Sequence, residues 1–266
     1  MAATSVYSIA LALLTAVAAG MVGSFALMKR MSLAGDVMSH IALPGLGLAL
    51  LFKINPLVGG ASTLLLGTVL IWYIEQKGTL TTDVAIGVIF TAALAAGTIL
   101  TPSEDLIEAL FGGFQPLTLG WFLIGVAGVV IVAVFLAVQR HRLMLTILSP
   151  ELAAAQGINV SLLDLSFLLI FSLTVLLGLR SLGALLVGAL IIVPAAVGRQ
   201  VATGLTWFLT ASSVAAVVSV AAGIIINLAY PHVRIGNMQL NLALGPAITL
   251  VAAMLFLVSL AFKSGD

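Results

Sequence analysis

The chain has 266 residues, of which 62% are hydrophobic and 7% charged, and its mean hydropathy is +1.30. A water-soluble core needs far less apolar sequence, so this composition excludes a soluble globular domain and fits a chain that crosses a membrane many times. A net charge of +1 without any run of Lys and Arg gives no basis for a nucleic-acid partner, and the absence of cysteine excludes disulfides, iron–sulfur ligation and thiolate metal sites.

Val6–Met28 is the first apolar run, and with no basic stretch before it, it reads as a retained span rather than a cleaved signal. Lys29 and Arg30 follow. The next run, Leu33–Leu51, is apolar except at Asp36 and His40, whose spacing stacks both side chains on one helical face. A carboxylate oxygen and an imidazole nitrogen placed in this way can converge on one small cation. A central aspartate costs about 2.5–3.5 kcal/mol on membrane-insertion scales, which makes the pair a functional candidate. The plainer reading is a helix-start aspartate beside a basic loop and a histidine bonded to a neighbouring carbonyl. Pro44 and Gly45 come directly after: proline removes an intrahelical bond and kinks the span, glycine admits a close helix, and a gated ion path could use such a kink. Two ligands do not fill a coordination shell, so carbonyls, water or a second copy of the site must add the rest. A cation held by Asp and neutral His binds more weakly as pH falls and protons compete.

Pro56–Ile74 and Asp83–Leu100 each open on a helix-start signal, Pro56 after Asn55 and Asp83 after Thr81-Thr82. The polar connection Thr101–Pro116 carries Glu104, Asp105 and Glu108, either an acidic funnel for cations or a solvated loop. Leu117–Val138 is the fifth run. A second polar connection, Gln139–Ser161, begins with Arg140-His141-Arg142, whose histidine reads as a solvated residue at headgroup level. Within it, residues 149–157 predict a short helix. Ser149 suits the N-cap, Pro150 the first helical position and Glu151 the positive helix end; Leu152 and Ala153 fall inside, and Gly157 suits the C-cap. A helix of about two turns is unstable alone in water. It therefore docks on its own spans or acts as a lever in a cytoplasmic partner. Leu162–Leu179, Gly183–Gly198, Thr206–Ala229 and Leu240–Phe262 complete nine runs. Asp83 and Asp164 read as helix caps rather than ion ligands. His232 reads as a loop histidine that could help admit a cation. Gly183–Gly198 is short and holds Pro194, so it either spans or re-enters.

The runs are continuous rather than alternating, which excludes a β-barrel. The expected fold is all-α: a polytopic integral membrane protein of about eight or nine transmembrane helices, with residues 1–266 as one domain. An outside N-terminus and inside C-terminus place Lys29, Arg30, Lys77, Arg140, Arg142, Arg199 and Lys263 in the cytoplasm against Lys53, Arg180 and Arg234 outside, as the positive-inside rule favours. No lysine follows a glycine in a phosphate-binding loop, and no His-Glu-x-x-His zinc site or Gly-x-Ser-x-Gly elbow is present, which argues against enzymology.

These residues form an ordered set of blocks. Lys29-Arg30-Met31-Ser32-Leu33 leads to Gly35-Asp36 and Ser39-His40 with Leu43-Pro44-Gly45; Ala85 to Phe90 and Leu110-Phe111-Gly112-Gly113 follow. Ser149 to Ala153 with Gly157-Ile158, Gly183 to Val187, Ile191 to Ala196 and Leu244-Gly245-Pro246-Ala247-Ile248 close the set. Over almost its full length the chain resembles the permease subunits of zinc/manganese-type ABC importers, the ABC-3 family. The resemblance implies a prokaryotic cell-membrane importer. Its parts would be two permease copies, a cytoplasmic pair of ABC ATPase subunits and an extracytoplasmic metal-binding protein. It implies that Asp36 and His40 face the metal path, and that residues 150–156 form the coupling helix that meets the ATPase. No cofactor would be permanently bound, and the cargo would be a divalent metal, zinc or manganese before iron. The family's usual aspartate before the coupling-helix Pro-Glu is Ser149 here, and the Tyr230–Leu240 loop is longer and more polar than usual.

Three other readings fit parts of the sequence. An ABC permease for a metal chelate or small cofactor would make the pair structural. A self-sufficient channel or secondary carrier would need no ATPase, and a membrane scaffold would leave the buried acid and imidazole without a purpose.

Overall fold

In hydrocarbon every backbone N–H and C=O must be satisfied within the protein, which is why long apolar runs become helices. In a computed structural model, described for residues 2–31, 34–77, 81–100, 117–229, 232–235, 238–241 and 244–261, they do so. The helices are α1 (Ala2–Met28), α2 (Ala34–Ile41), α3 (Leu43–Leu51), α4 (Pro56–Lys77), α5 (Thr82–Leu100), α6 (Leu119–Leu148), α7 (Pro150–Ala155), α8 (Val160–Leu182), α9 (Ala184–Val201), α10 (Leu205–Ala229) and α11 (Leu244–Ala261). Among the described residues eight segments are long and apolar enough to cross a bilayer, α2 and α3 together counting as one; α9 is the shorter ninth. The acidic stretch around Glu104, Asp105 and Glu108 lies outside the described residues.

α1 is the central post, packed against α6, α8, α9 and α10. Its inner face is small and apolar, and a Cβ at Gly23 would meet the carbonyl oxygen of Ile191 at 1.9 Å. Such small-residue contacts let helix backbones approach where no hydrophobic effect drives association. Phe25 of α1 meets Phe167 of α8 edge-on, with ring centroids 6.5 Å apart, and both are fully buried. Thr68 of α4 and Ser172 of α8 share a buried hydroxyl–hydroxyl bond.

The expected single run Leu33–Leu51 is two helices. Pro44 has no N–H, so the bond from position 44 to the His40 carbonyl that a continuous helix would make cannot form. The chain turns at Ala42 and restarts with proline in the first turn of α3, where it is tolerated. Thr63 Oγ1 lies 3.4 Å from the Ala42 carbonyl, giving this interrupted backbone a polar neighbour.

The Gly183–Gly198 run is a continuous helix, α9, packed on α1, α2, α8, α10 and α11 with Pro194 inside it. Its length of 18 residues, ~27 Å by helical rise, nearly matches a ~30 Å hydrocarbon layer. Gly183 joins α8 to α9 with φ 93, a conformation other residues rarely adopt. The stretch read as the Tyr230–Leu240 loop contains two antiparallel strands, β1 (His232–Ile235) and β2 (Met238–Asn241), with His232 opposite Asn241.

Two expected N-caps are corrected. Asp83 lies inside the first turn of α5, and Thr81, whose carbonyl accepts from the Val84 and Ala85 N–H groups, holds the cap position. Asn159, not Asp164, caps α8, accepting from the Leu162 N–H at 3.1 Å. Asp164 instead pairs with Lys29 at the end of α1; both side chains are mostly buried, and the ammonium also lies 5.4 Å from the Phe167 ring centroid. Trp72 of α4 donates to the Ser161 carbonyl. These links bring the ends of α1 and α4 and the start of α8 to one face, which also carries α7. Lys29, Lys77, Arg140 and Arg142 cluster towards that face, and α4 separates it from Lys53.

Lys29→Met or Asp164→Asn alone should lower unfolding free energy in detergent by about 1–3 kcal/mol, because each leaves a largely buried partner unmatched. The double variant should lose less than the sum of the two. Strictly additive losses in the four-member cycle would show that the pair contributes nothing.

Candidate functional site

The eight residues of α2 divide by face. Ala34, Gly35, Met38, Ser39 and Ile41 are buried, while Asp36, Val37 and His40 lie on the more open face and are only partly buried. One helical turn apart, His40 Nε2 and Asp36 Oδ1 stand 3.9 Å from each other. That is too long for a hydrogen bond. It is within the span of two metal–ligand bonds of roughly 2.0–2.2 Å each, so a cation could bridge the two atoms.

The side chains differ in environment. The imidazole is 13% exposed and packs against Phe90 of α5, ring centroids 5.8 Å apart; the carboxylate is 48% exposed. His40 Nδ1 is buried and finds no hydrogen-bond partner among the described residues. Ser39 is occupied elsewhere, its hydroxyl donating to the Asp36 carbonyl at 2.6 Å. Among the described residues no third His, Asp or Glu joins the pair.

Two glycine contacts fix where the pair stands. Behind α2, Gly188 of α9 presses on the Asp36 backbone: a Cβ there would fall 2.5 Å from the Asp36 Cα. Beyond the break, Gly45 of α3 faces Gly59 of α4 so closely that a Cβ at Gly45 would meet the Gly59 carbonyl oxygen at 2.0 Å. Gly97 of α5 closes against Leu43, where a Cβ would lie 2.9 Å from the Leu43 Cβ. The broken segment is therefore held by backbone-to-backbone contact on both sides of Pro44.

The short helix α7 is a separate feature at the basic face. Ser149 Oγ accepts from the Leu152 N–H, and Pro150 opens the helix. Gly157, with φ 77, ends it: its N–H bonds to the Ala154 carbonyl and the Ile158 N–H to the Ala153 carbonyl. That pair of bonds is a Schellman termination. Gln156, rather than Gly157, holds the C-cap position. Ala153 is fully buried, whereas Pro150, Glu151, Leu152, Ala154 and Ala155 are exposed, Leu152 at 59%. A two-turn helix thus stands on one alanine and offers most of its surface outward.

The sequence brought Asp36 to His40 and Pro44 to Gly45. It did not single out Gly188 or Phe90, which meet the pair from α9 and α5. Phe90 ends one of the quoted blocks and Gly188 lies just past the end of another, but a contact between distant helices has no local signature. His141 is exposed and accepts from Arg140 Nε at 3.2 Å, while His232 sits on β1, away from α2 in sequence and element.

A family model described as the ABC 3 transport family matches residues 2–263. The chain is 34% identical over 256 residues to the manganese import system permease protein ScaB of Streptococcus gordonii, covering 93% of this chain and 87% of that protein. It is 28% identical to the high-affinity zinc uptake system membrane protein ZnuB of Haemophilus influenzae, covering 90% and 89%. A solved structure of PsaBC from Streptococcus pneumoniae in complex with Fab superposes with a TM-score of 0.78 at 28% identity, covering 95% of this chain and 89% of that one.

Gly188→Ala should destabilise the protein by roughly 1–3 kcal/mol, because the added methyl meets backbone that must move. Gly87→Ala on α5, where a Cβ meets nothing within 4 Å, should leave stability unchanged or raise it by up to about 1 kcal/mol. Equal effects of the two substitutions in thermal unfolding would show that α9 does not brace Asp36.

Proposed function

The chain belongs to the ABC 3 transport family, and from that premise we propose that it is the membrane subunit of an importer that moves a divalent transition metal into the cytoplasm, with ATP hydrolysed by a separate subunit. It is a multi-pass protein of the cell membrane. The observation that carries the reading is the Asp36–His40 pair on the open face of the broken α2–α3 segment. A half-exposed carboxylate on an apolar span does not face lipid, since charge in hydrocarbon is costly and turns towards protein or water. The open face is therefore a path or an interface, and a second copy of the chain would supply a second carboxylate and imidazole. Two pairs give four nitrogen and oxygen ligands, a set that suits zinc, manganese and iron. Relatives named for manganese and for zinc both match; the higher identity of the manganese permease favours manganese.

On this reading Pro44 and Gly45 serve the opening of the path. Pro44 leaves α2 free of a full backbone tie to α3, and Gly45 keeps α3 against α4, so the two halves of the segment could tilt separately. Ser149 to Gly157 would meet the cytoplasmic ATPase through the exposed face of α7, and an external metal-binding protein would deliver the ion to the opposite side.

Asp36→Ala and His40→Ala should each lower metal uptake by vesicles holding the complete importer by roughly 10–100-fold, the loss expected when a charged or ligating partner is removed. Assembly with the ATPase should be unaffected. Uptake of free manganese at the wild-type rate by both variants would remove the metal-path assignment. For α7, Leu152→Asp should leave the permease as stable as wild type and abolish ATPase binding in a pull-down. Ala153→Leu should instead destabilise the permease itself by about 1–3 kcal/mol through overpacking. ATPase binding undiminished by Leu152→Asp would place the contact elsewhere.

A further inference from the structure

α6 is longer than a membrane requires. Its 30 residues reach ~45 Å, against a hydrocarbon layer of ~30 Å. The surplus is at its C-terminal end. An exposed apolar stripe runs through Leu123, Ile124, Val130, Ile131, Val134 and Val138, and no other large apolar side chain is exposed until Leu148 at the helix end. Gln139, Arg140, His141 and Arg142 follow Val138 at once, so the boundary between hydrocarbon and headgroups falls between residues 138 and 139.

At that level a groove of about 490 Å³ opens between α6, the end of α7 and the start of α8. Gln139 and Arg142 line it from α6, Gln156 and Asn159 from the turn between α7 and α8, and Leu162 and Ser166 from α8. None of its lining residues is acidic. Asn159 uses its side-chain oxygen to cap α8, which leaves its amide hydrogens as donors. Arg142 is exposed beside it, and Arg140 lies at the same level. Leu162, in the first turn of α8 and 55% exposed, forms an apolar lip. Without carboxylate or imidazole in its lining the groove has no means to hold a metal cation. Its donors suit an anion, and its lip suits an acyl chain.

We propose that this groove binds the headgroup of an anionic phospholipid of the cytoplasmic leaflet, with the phosphate on Arg142 and the neighbouring amide donors and an acyl chain lying along the seam between α6 and α8. Basic pockets between helices at the cytoplasmic surface recognise anionic lipid in this way, each nearby cation contributing on the order of 1 kcal/mol. The site stands at the root of α7, so bound lipid would brace the short helix from the membrane side. The inference rests on the membrane boundary and the groove chemistry and is independent of the metal path.

Native mass spectrometry of the purified chain, with phosphatidylglycerol and phosphatidylcholine offered at equal concentration, tests it. The wild type should retain phosphatidylglycerol preferentially. Arg142→Gln should cut that preference roughly fivefold, matching one lost cation. Gln139→Leu should cut it less, and Lys53→Gln at the opposite face should leave it intact. Equal retention of the two lipids, or an Arg142→Gln variant with wild-type preference, would overturn the proposal. So would inorganic phosphate protecting the chain from thermal unfolding as well as the lipid does, which would mark a site for free phosphate. A cross-linker at position 142 that captures the ATPase subunit, while the wild type retains no lipid, would overturn it in favour of a protein occupant.

Discussion

A carboxylate on a span that is otherwise apolar sets the terms for the rest of this structure. Charge in hydrocarbon is expensive unless it is paired, hydrated or shielded by protein. Asp36 has an imidazole 3.9 Å away and is 48% exposed, so the protomer alone neither neutralises nor covers it. His40 is in the complementary position: its ring is mostly enclosed and packs at a tilt against Phe90, yet its Nδ1 has no partner among the described residues. Both groups retain bonding capacity that no hydrogen bond to a described residue takes up. The rest of the fold can be understood as the means of holding that capacity in place.

Backbone contact does the holding. Gly188 lets α9 lie directly against the Asp36 backbone, and Gly45 with Gly59 does the same for α3 and α4. Side chains between these helices would give a softer seat, since long side chains change rotamer more readily than helices move. The break at Ala42–Pro44 then separates a braced half that carries the ligands from a braced half that carries none. On the reading proposed here, this division allows a path to open without dismantling the pair. At the basic face, Lys29 and Asp164 tie the strand of chain that enters α2 to the helix that leaves α7. The ion pair thus joins the end of α1 to α8, the helix that follows α7 in the chain.

The sequence disclosed whatever depends on local chemistry. Apolar runs located the helices, Pro44 located the break, and Ser149, Pro150 and Gly157 located α7 and its two ends. The Asp36–His40 spacing puts a carboxylate and an imidazole on one helical face. Longer-range facts were hidden. Asp164 sits near a helix start and reads as a cap, but its partner is Lys29, 135 residues earlier in the chain. Asn159 is the true cap because α8 begins at Val160, two residues before the apolar run does. β1 and β2 carry alternating residues around Gly236 and Asn237, a hairpin signal that a polar loop reading passed over. Gly188 could not be distinguished from many other glycines, since its importance lies in what it touches.

The central claim is that one metal ion is held between two copies of the Asp36–His40 pair. Pulsed electron paramagnetic resonance of manganese titrated into the purified, detergent-solubilised protein addresses it directly, because it counts bound ions and detects nitrogen ligands in one sample. One ion per two chains is expected, with imidazole nitrogen couplings that disappear in His40→Ala. One ion per chain, or bound manganese with no nitrogen coupling in the wild type, would contradict it.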